Sequence, residues 1–199
     1  MTETRPTYGG EKDRGDKRER ILSAALELFA ERGFHGTAVP LVAEKAGVGA
    51  GTIYRYFDGK EALVNAIYQQ EKLALLSEIM KDFPTSLSPR EQFHHLFDRV
   101  VTWARRSPAA FQFLELHHHA PYLDAQSLAI EERVLMLAVS FFTETQARRI
   151  TKPIDPNLLG AVLWGAIVRV LRSSFEGTLN LDAQALEDAE RVCWEAVRL

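Results

Sequence analysis

The sequence is poor in cysteine and in long apolar runs. Cys193 is the one cysteine in 199 residues, so no internal disulfide can form, as is typical of a reducing compartment. No apolar run continues for the roughly 18 residues that span a bilayer, and the first twenty residues lack the apolar stretch of a secretory signal. We therefore expect a cytoplasmic protein with no membrane partner.

Motifs of catalysis and of cofactor binding are also missing. The chain contains no G-x-S-x-G, H-E-x-x-H or C-x-x-C pattern. The glycine-rich stretch GVGAGTIYRYFDGK, residues 47–60, is not a dinucleotide loop, because Thr52 stands where a third glycine is needed and a helical pattern precedes it. We expect neither an enzyme nor a bound cofactor.

Strand patterns are absent as well, since no Val/Ile/Thr-rich alternating segment is flanked by hairpin turns. Apolar residues instead recur at helical spacing through most of the chain. The sequence therefore predicts an all-α fold of about nine helices.

Local signals indicate where several helices begin. Ser88, Ser107 and Asp155 each precede a proline, and proline is favoured in the first helical turn. Asp182 is a further expected N-cap, and Thr37 is the expected N-cap of the second helix.

Charge is distributed unevenly along the chain. The net charge is -3, yet residues 17–60 carry seven Lys/Arg against five Asp/Glu, whereas residues 61–199 carry fourteen against eighteen. This mild asymmetry indicates the N-terminal part as the place where a polyanion would bind.

Residues 38–57 fit a helix-turn-helix. A short helix from Ala38 to Ala46 is followed by Gly47, which can adopt a left-handed turn conformation without steric strain. A second short helix extends from Ala50 to Phe57, and its first residues would face the major groove of DNA. We expect Ile53 and Phe57 to pack in the core.

This region resembles a known family. Residues 17–75, above all GFHGTAVPLVAEKAGVGAGTIYRYFDGKEAL, are similar to the DNA-binding domain of the TetR (tetracycline repressor) family of bacterial transcriptional regulators. Residues 1–15 mix charge, glycine and proline without apolar periodicity, so we expect a flexible tail there. The resemblance implies a three-helix DNA-binding domain over 16–75 and a helical ligand-binding and dimerisation domain over 76–199. It also implies a homodimeric regulator, most simply a repressor, that binds a pseudo-palindromic double-stranded DNA operator and is released by a small apolar or amphipathic effector.

The family pattern also implies roles for individual residues. The Thr37 hydroxyl would bind a phosphate at a helix N-terminus, whereas Arg55, Tyr56 and Lys60 would hold the DNA backbone. The full predicted set is Thr37, Val48, Gly49, Ala50, Gly51, Thr52, Tyr54, Arg55, Tyr56 and Lys60. Gly49-Ala50 replaces the Ser-Lys that is frequent in the family, so we expect fewer charged contacts here and more readout by close approach.

The C-terminal half offers a dimer interface and a pocket. The segment NLLGAVLWGAIVRVL is apolar nearly all round, and Gly160, Ala161, Gly165 and Ala166 would let another helix approach closely. The last two helices of two subunits could then form a four-helix bundle. Candidate pocket residues are mostly aromatic, as in many small-molecule sites. They are Phe97, Trp103, Phe113, His117, Tyr122, Phe142 and Trp164.

Three consecutive histidines leave one alternative open. His117, His118 and His119 would spread over about 200° of a helix, so they cannot bind one metal ion without help from elsewhere. His94 and His95 could supply that help. A metal-sensing regulator is therefore the second hypothesis, although we predict no metal site, and an enzyme is the least favoured.

Overall fold

The structure is a computed structural model, and it describes the backbone of residues 10–199 and the side chains from Gly15 onward. Nine α-helices and one short 3-10 helix, Ala120–Tyr122, make up this part of the chain, and the one isolated bridge in it joins Thr151 to Arg198. The helices are α1 (Gly10–Gly36), α2 (Val39–Ala46), α3 (Ala50–Tyr54), α4 (Lys60–Met80), α5 (Pro89–Arg106), α6 (Pro108–Leu116), α7 (Ala125–Ala147), α8 (Pro156–Phe175) and α9 (Ala183–Val197). The all-α prediction is confirmed.

The predicted tail over residues 1–15 lies largely outside the described part of the chain. Residues 1–9 lie outside the described part of the chain, but residues 10–15 belong to α1. The helical backbone breaks at Gly33, where φ is 67° and ψ is -177°, and a glycine tolerates this positive φ best. The predicted end of the first helix at Gly33 therefore coincides with a break, and helical residues follow it.

Side-chain caps start the later helices as the sequence predicts. Ser88 and Glu91 form a reciprocal capping box at α5, and these hydrogen bonds hold the pKa of Glu91 below its usual value. Asp155 accepts N–H donors at the start of α8, and Asp182 does so at α9. The N-cap of α2 is Ala38 rather than Thr37, so that prediction is wrong.

The described helices divide between two compact units. The first contains the chain up to Glu71 together with Ala109–Asp124, and the second contains Lys72–Pro108 and Ala125–Leu199. Residues 109–124 thus group with the N-terminal helices, although the sequence places them in a domain over 76–199. In the first unit, large side chains at most 1% exposed form the core. They include Phe29, Ile53, Leu63, Phe111 and Phe113.

The second unit packs α5, α7, α8 and α9 with the last turns of α4. Its buried residues include Phe97, Val100, Leu163 and Leu171. Ion pairs join helices of this unit. Lys72 meets Glu131 at 3.0 Å, Glu78 meets Arg99 at 3.1 Å, and Arg90 forms a double contact with the buried Glu190, 2.6 Å between Nη2 and Oε2. Burial raises the pKa of the Cys193 thiol, which is consistent with a packing role.

Both α8 and α9 carry large apolar residues that are open to solvent. Leu158 and Val162 on α8 are 55% and 54% exposed, and Val192 on α9 is 65% exposed. We call these three residues, with Leu199, the apolar face. Within the described residues, α8 is the one helix long and apolar enough to cross a membrane by length and composition, and only 22% of that segment is buried.

Candidate nucleic-acid interface

The turn between α2 and α3 depends on a glycine in a left-handed conformation. Gly47 has φ 64° and ψ 41°, and its N–H donates to the carbonyl of Glu44 at 3.1 Å. The N–H of Val48 donates to the carbonyl of Ala43 at 3.0 Å, which closes the end of α2. The turn therefore has the helix-turn-helix geometry that the sequence predicts.

Arg20 supports this turn from α1. Its Nη2 donates to the carbonyl oxygens of Ala46, at 2.5 Å, and of Gly47, at 3.1 Å. A Cβ atom on Gly47 would come within 2.9 Å of that nitrogen. The sequence alone shows Arg20 only as a charge, because its partners lie 26 and 27 residues away in the chain. The one available signal was the general preference of helix C-termini for cations.

The start of α3 presents a surface of small residues with two larger side chains beside them. Gly49, Ala50, Gly51, Tyr54 and Arg55 are exposed, and we call these five residues the recognition surface. Ile53 lies under it with no exposed area. The Arg55 guanidinium has no ion-pair partner in the part of the chain with described side chains. This side chain is therefore available to an external anion.

The residues beside this surface are less exposed. Val48, Thr52, Tyr56 and Lys60 are of intermediate exposure. The Nζ of Lys60 donates to the carbonyl of Phe34 at 2.7 Å and lies 4.0 Å from the centre of the Phe34 ring. One of the three ammonium donors is therefore used inside the protein. Contact of Lys60 with a phosphate stays a prediction.

Thr37 does not present its hydroxyl to solvent. The residue is 1% exposed, and its Oγ1 donates toward the carbonyls of Gly33, at 2.9 Å, and Leu28, at 3.1 Å. The single hydroxyl hydrogen of Thr37 is thus directed at these two carbonyls inside the protein. The predicted hydroxyl-to-phosphate contact is therefore wrong for the geometry described.

The seven predicted pocket residues fall into both units. Phe113, His117 and Tyr122 belong to the first unit, where Phe113 packs on Phe29 and Tyr122 stacks on Phe34. The other predicted pocket residues belong to the second unit. Of these, Phe97, Trp103 and Phe142 are buried, and Trp164 is half-buried. A single pocket formed by all seven stays a prediction.

The histidine cluster packs against backbone carbonyls. A ring nitrogen of His117 lies 2.8 Å from the carbonyl of Ala30, and one of His119 lies 2.5 Å from that of Phe113. His119 is buried, and burial lowers the pKa of its imidazole, whereas His118 is exposed. No group of three metal-ligating side chains occurs within the described residues. The metal-sensing alternative gains no support.

Family comparisons match nearly the whole chain. Residues 21–67 match the family described as "Bacterial regulatory proteins, tetR family". Residues 68–199 match the one described as "Tetracyclin repressor-like, C-terminal domain". The matched segments therefore contain the turn, the recognition surface and the apolar face.

Individual proteins agree with these matches. The chain is 31% identical over 181 residues to the fatty acid metabolism regulator protein of Bacillus subtilis, covering 89% of this chain and 93% of that one. It is 32% identical over 158 residues to the HTH-type transcriptional regulator RutR of Escherichia coli O157:H7, covering 75% and 71%. A TetR family transcription regulator from Marinobacter aquaeolei VT8 shares the fold, with a TM-score of 0.83, 22% identity and coverage of 94% and 98%. These proteins are transcriptional regulators and not enzymes.

Proposed function

Because the chain belongs to the TetR family of bacterial transcriptional regulators, we propose that it is a homodimeric repressor of a pseudo-palindromic DNA operator. A small apolar or amphipathic effector releases it from that operator. The recognition surface is the observation that carries the proposal, since it is open to solvent and stands on the fully buried Ile53.

The recognition surface suits close approach to DNA. Gly49, Ala50 and Gly51 bring the backbone of α3 near the base edges, and a Cβ on Gly51 would meet no atom within 4 Å. Arg55 would contact a guanine or a phosphate, because its guanidinium is exposed and offers paired donors. Val48, Thr52, Tyr54 and Tyr56 would contact bases or neighbouring phosphates, and Lys60 would hold the backbone with its remaining donors.

The apolar face supports dimerisation. Leu158 and Val162 are four residues apart on α8, and their neighbours Ala161 and Gly165 are also exposed. A second copy of this face would cover both sets of residues by two-fold symmetry. Such a dimer would present two recognition helices to half-sites about 34–36 Å apart.

The effector must favour the DNA-incompatible arrangement of the dimer, because a ligand shifts an equilibrium only through its differential affinity. Phe97, Trp103, Phe142 and Trp164 of the second unit are the candidates for contact with its apolar part. A Bacillus subtilis relative is named as a regulator of fatty acid metabolism, which is consistent with an amphipathic effector. We place the protein in the cytoplasm, where it would meet the chromosome.

The proposal is tested by selecting bound sequences from a random DNA library. We expect an enriched palindrome that binds with a steep salt dependence, measured by fluorescence anisotropy. Arg55→Gln should weaken binding about tenfold or more, whereas Arg133→Gln on α7, also at an exposed arginine, should not. The absence of any enriched sequence would reject the repressor function.

A further inference from the structure

Lys60 links the two ends of the helix-turn-helix. Phe34 precedes α2 and Lys60 begins α4, so residues 34–60 enclose both α2 and α3. The Lys60 ammonium donates to the Phe34 carbonyl at 2.7 Å and lies 4.0 Å from the ring centre. A hydrogen bond and a cation–π contact from one side chain therefore close this segment.

Tyr122 occupies the other face of the Phe34 ring. The two ring centres are 3.8 Å apart, and the ring planes differ by 18°. An ammonium and a stacked ring cannot both fit within 4.0 Å of one centre on the same face, so Phe34 lies between Tyr122 and Lys60. The Phe34 ring thereby links Tyr122, in the segment 109–124, to the Lys60 side chain that closes the helix-turn-helix.

Tyr122 is itself held in place by α4 and by the end of α1. Its carbonyl accepts from the Asn65 amide at 2.7 Å, and the Asn65 Oδ1 accepts from the Asp124 N–H at 2.8 Å. Its hydroxyl lies 3.0 Å from a ring nitrogen of His35. Asn65 is buried, so the backbone on both sides of the Tyr122–Asp124 corner has a defined position.

We propose that Tyr122 is a positioning residue for operator binding. It does not touch DNA; it stacks on Phe34, and Phe34 in turn holds the Lys60 side chain that closes the helix-turn-helix. The inference rests on the proposed operator binding. Sequence reasoning placed Tyr122 in the effector pocket, because an aromatic residue beyond α6 gives no sign of its partner.

The first test compares operator affinity among variants at position 122. Tyr122→Ala removes the stacked ring and should raise the operator Kd about tenfold. Tyr122→Phe keeps the ring and loses only the bond to His35, so its Kd should stay within about twofold of the wild type. Phe83→Ala, which removes an aromatic ring that contacts His95 in the second unit, is the matched control and should leave the Kd unchanged. A normal Kd for Tyr122→Ala would overturn the inference.

A double-mutant cycle separates positioning from a general loss of stability. In a Lys60→Met background, Tyr122→Ala should cause little further loss, because the side chain through which it acts is already gone. Additive losses would overturn the inference, since they would mean that Tyr122 acts independently of Lys60. The folded fraction of each variant is measured by thermal unfolding, and the Kd is corrected for it.

Hydrogen exchange without DNA gives an independent readout. Tyr122→Ala should accelerate exchange of amides in residues 37–58 relative to Phe83→Ala, and equal rates would contradict the positioning role. Wild-type protein that selects no DNA sequence would reject the proposed function and the inference together. Wild-type binding with an unaffected Tyr122→Ala would reject the inference alone.

Discussion

The recognition surface and the apolar face are both open to solvent, yet their composition is opposite. The recognition surface combines glycine and alanine with Tyr54 and Arg55, whereas the apolar face is built from leucine and valine. Small residues expose backbone N–H groups to a polar partner, and large aliphatic ones gain free energy only when they leave water. The affinity of the recognition surface for its partner should therefore depend on salt concentration, whereas the affinity of the apolar face should depend on the apolar area that is buried.

The largest expected effect comes from a charge in the apolar face. Val162→Glu would bury an unpaired carboxylate in a dimer, which costs about 3 kcal/mol or more and raises the dimer Kd at least about a hundredfold. Sedimentation should show monomers of the variant at concentrations where we expect the wild type to form the proposed dimer. Ala147→Glu, at an exposed position near the end of α7, should remain dimeric. A dimeric Val162→Glu would place the dimer interface elsewhere.

A smaller effect is expected when either of two glycines is replaced by alanine: one substitution should change stability and the other operator binding. Gly47→Ala should lower the free energy of unfolding by about 1–2 kcal/mol. The backbone at position 47 has φ near 64°, which alanine adopts only with strain, and the alanine Cβ would displace the Arg20 guanidinium. Gly51→Ala should leave stability unchanged or raise it slightly, because the space around its Cβ is open. Chemical denaturation measures both effects.

At Gly51, operator affinity and stability should respond differently to the same substitution. Gly51→Ala should weaken binding at full stability, since its methyl group would keep the backbone of α3 from the bases. An unchanged operator affinity of Gly51→Ala would mean that Gly51 does not approach the DNA.

Restoring a family residue tests the electrostatic character of the recognition surface. Ala50→Lys adds a cation at an exposed position at the start of α3. The slope of log K against log salt should steepen by about 0.9 for each new phosphate contact, which means about two units for a dimer on two half-sites. Ala147→Lys is the control of equal charge. An unchanged slope for Ala50→Lys would mean that position 50 lies away from phosphates.

The smallest effect concerns pH and should arise in the first unit. His119 is the buried histidine there, and burial holds the pKa of its imidazole below the ordinary value near 6.5. The unfolded chain therefore binds more protons below that pH, so the free energy of unfolding falls as the pH decreases through 6.5. His119→Gln should reduce this fall between pH 7 and pH 5.5 by less than about 1 kcal/mol. An identical pH profile in the variant would contradict the assignment.

Features that depend on neighbouring residues were predictable from the sequence. The caps at Ser88, Asp155 and Asp182 involve partners two or three residues away, so the local pattern was sufficient. The same holds for the left-handed turn at Gly47, which closes on Ala43 and Glu44. The turn and the start of α3 could be located for this reason, and their contact with DNA stays a prediction.

Features that depend on distant residues were not predictable. The Thr37 hydroxyl could bind a phosphate or a backbone carbonyl, and the position of the Leu28 and Gly33 carbonyls in the folded chain determines which. The partners of Arg20 depend on how α1 packs against α2. Phe113 and Tyr122 are aromatic residues that could pack in any part of the core, so the sequence could not reveal that they pack against α1.

The first unit is discontinuous in the chain, and this bears on how it is synthesised. Phe113 and Phe111, both fully buried there, are translated about forty residues after the first part of the unit ends at Glu71. A ribosome-bound chain that ends near residue 75 therefore contains every residue of the recognition surface but lacks part of its core. The core of the first unit is therefore complete only once the residues up to 124 have been synthesised.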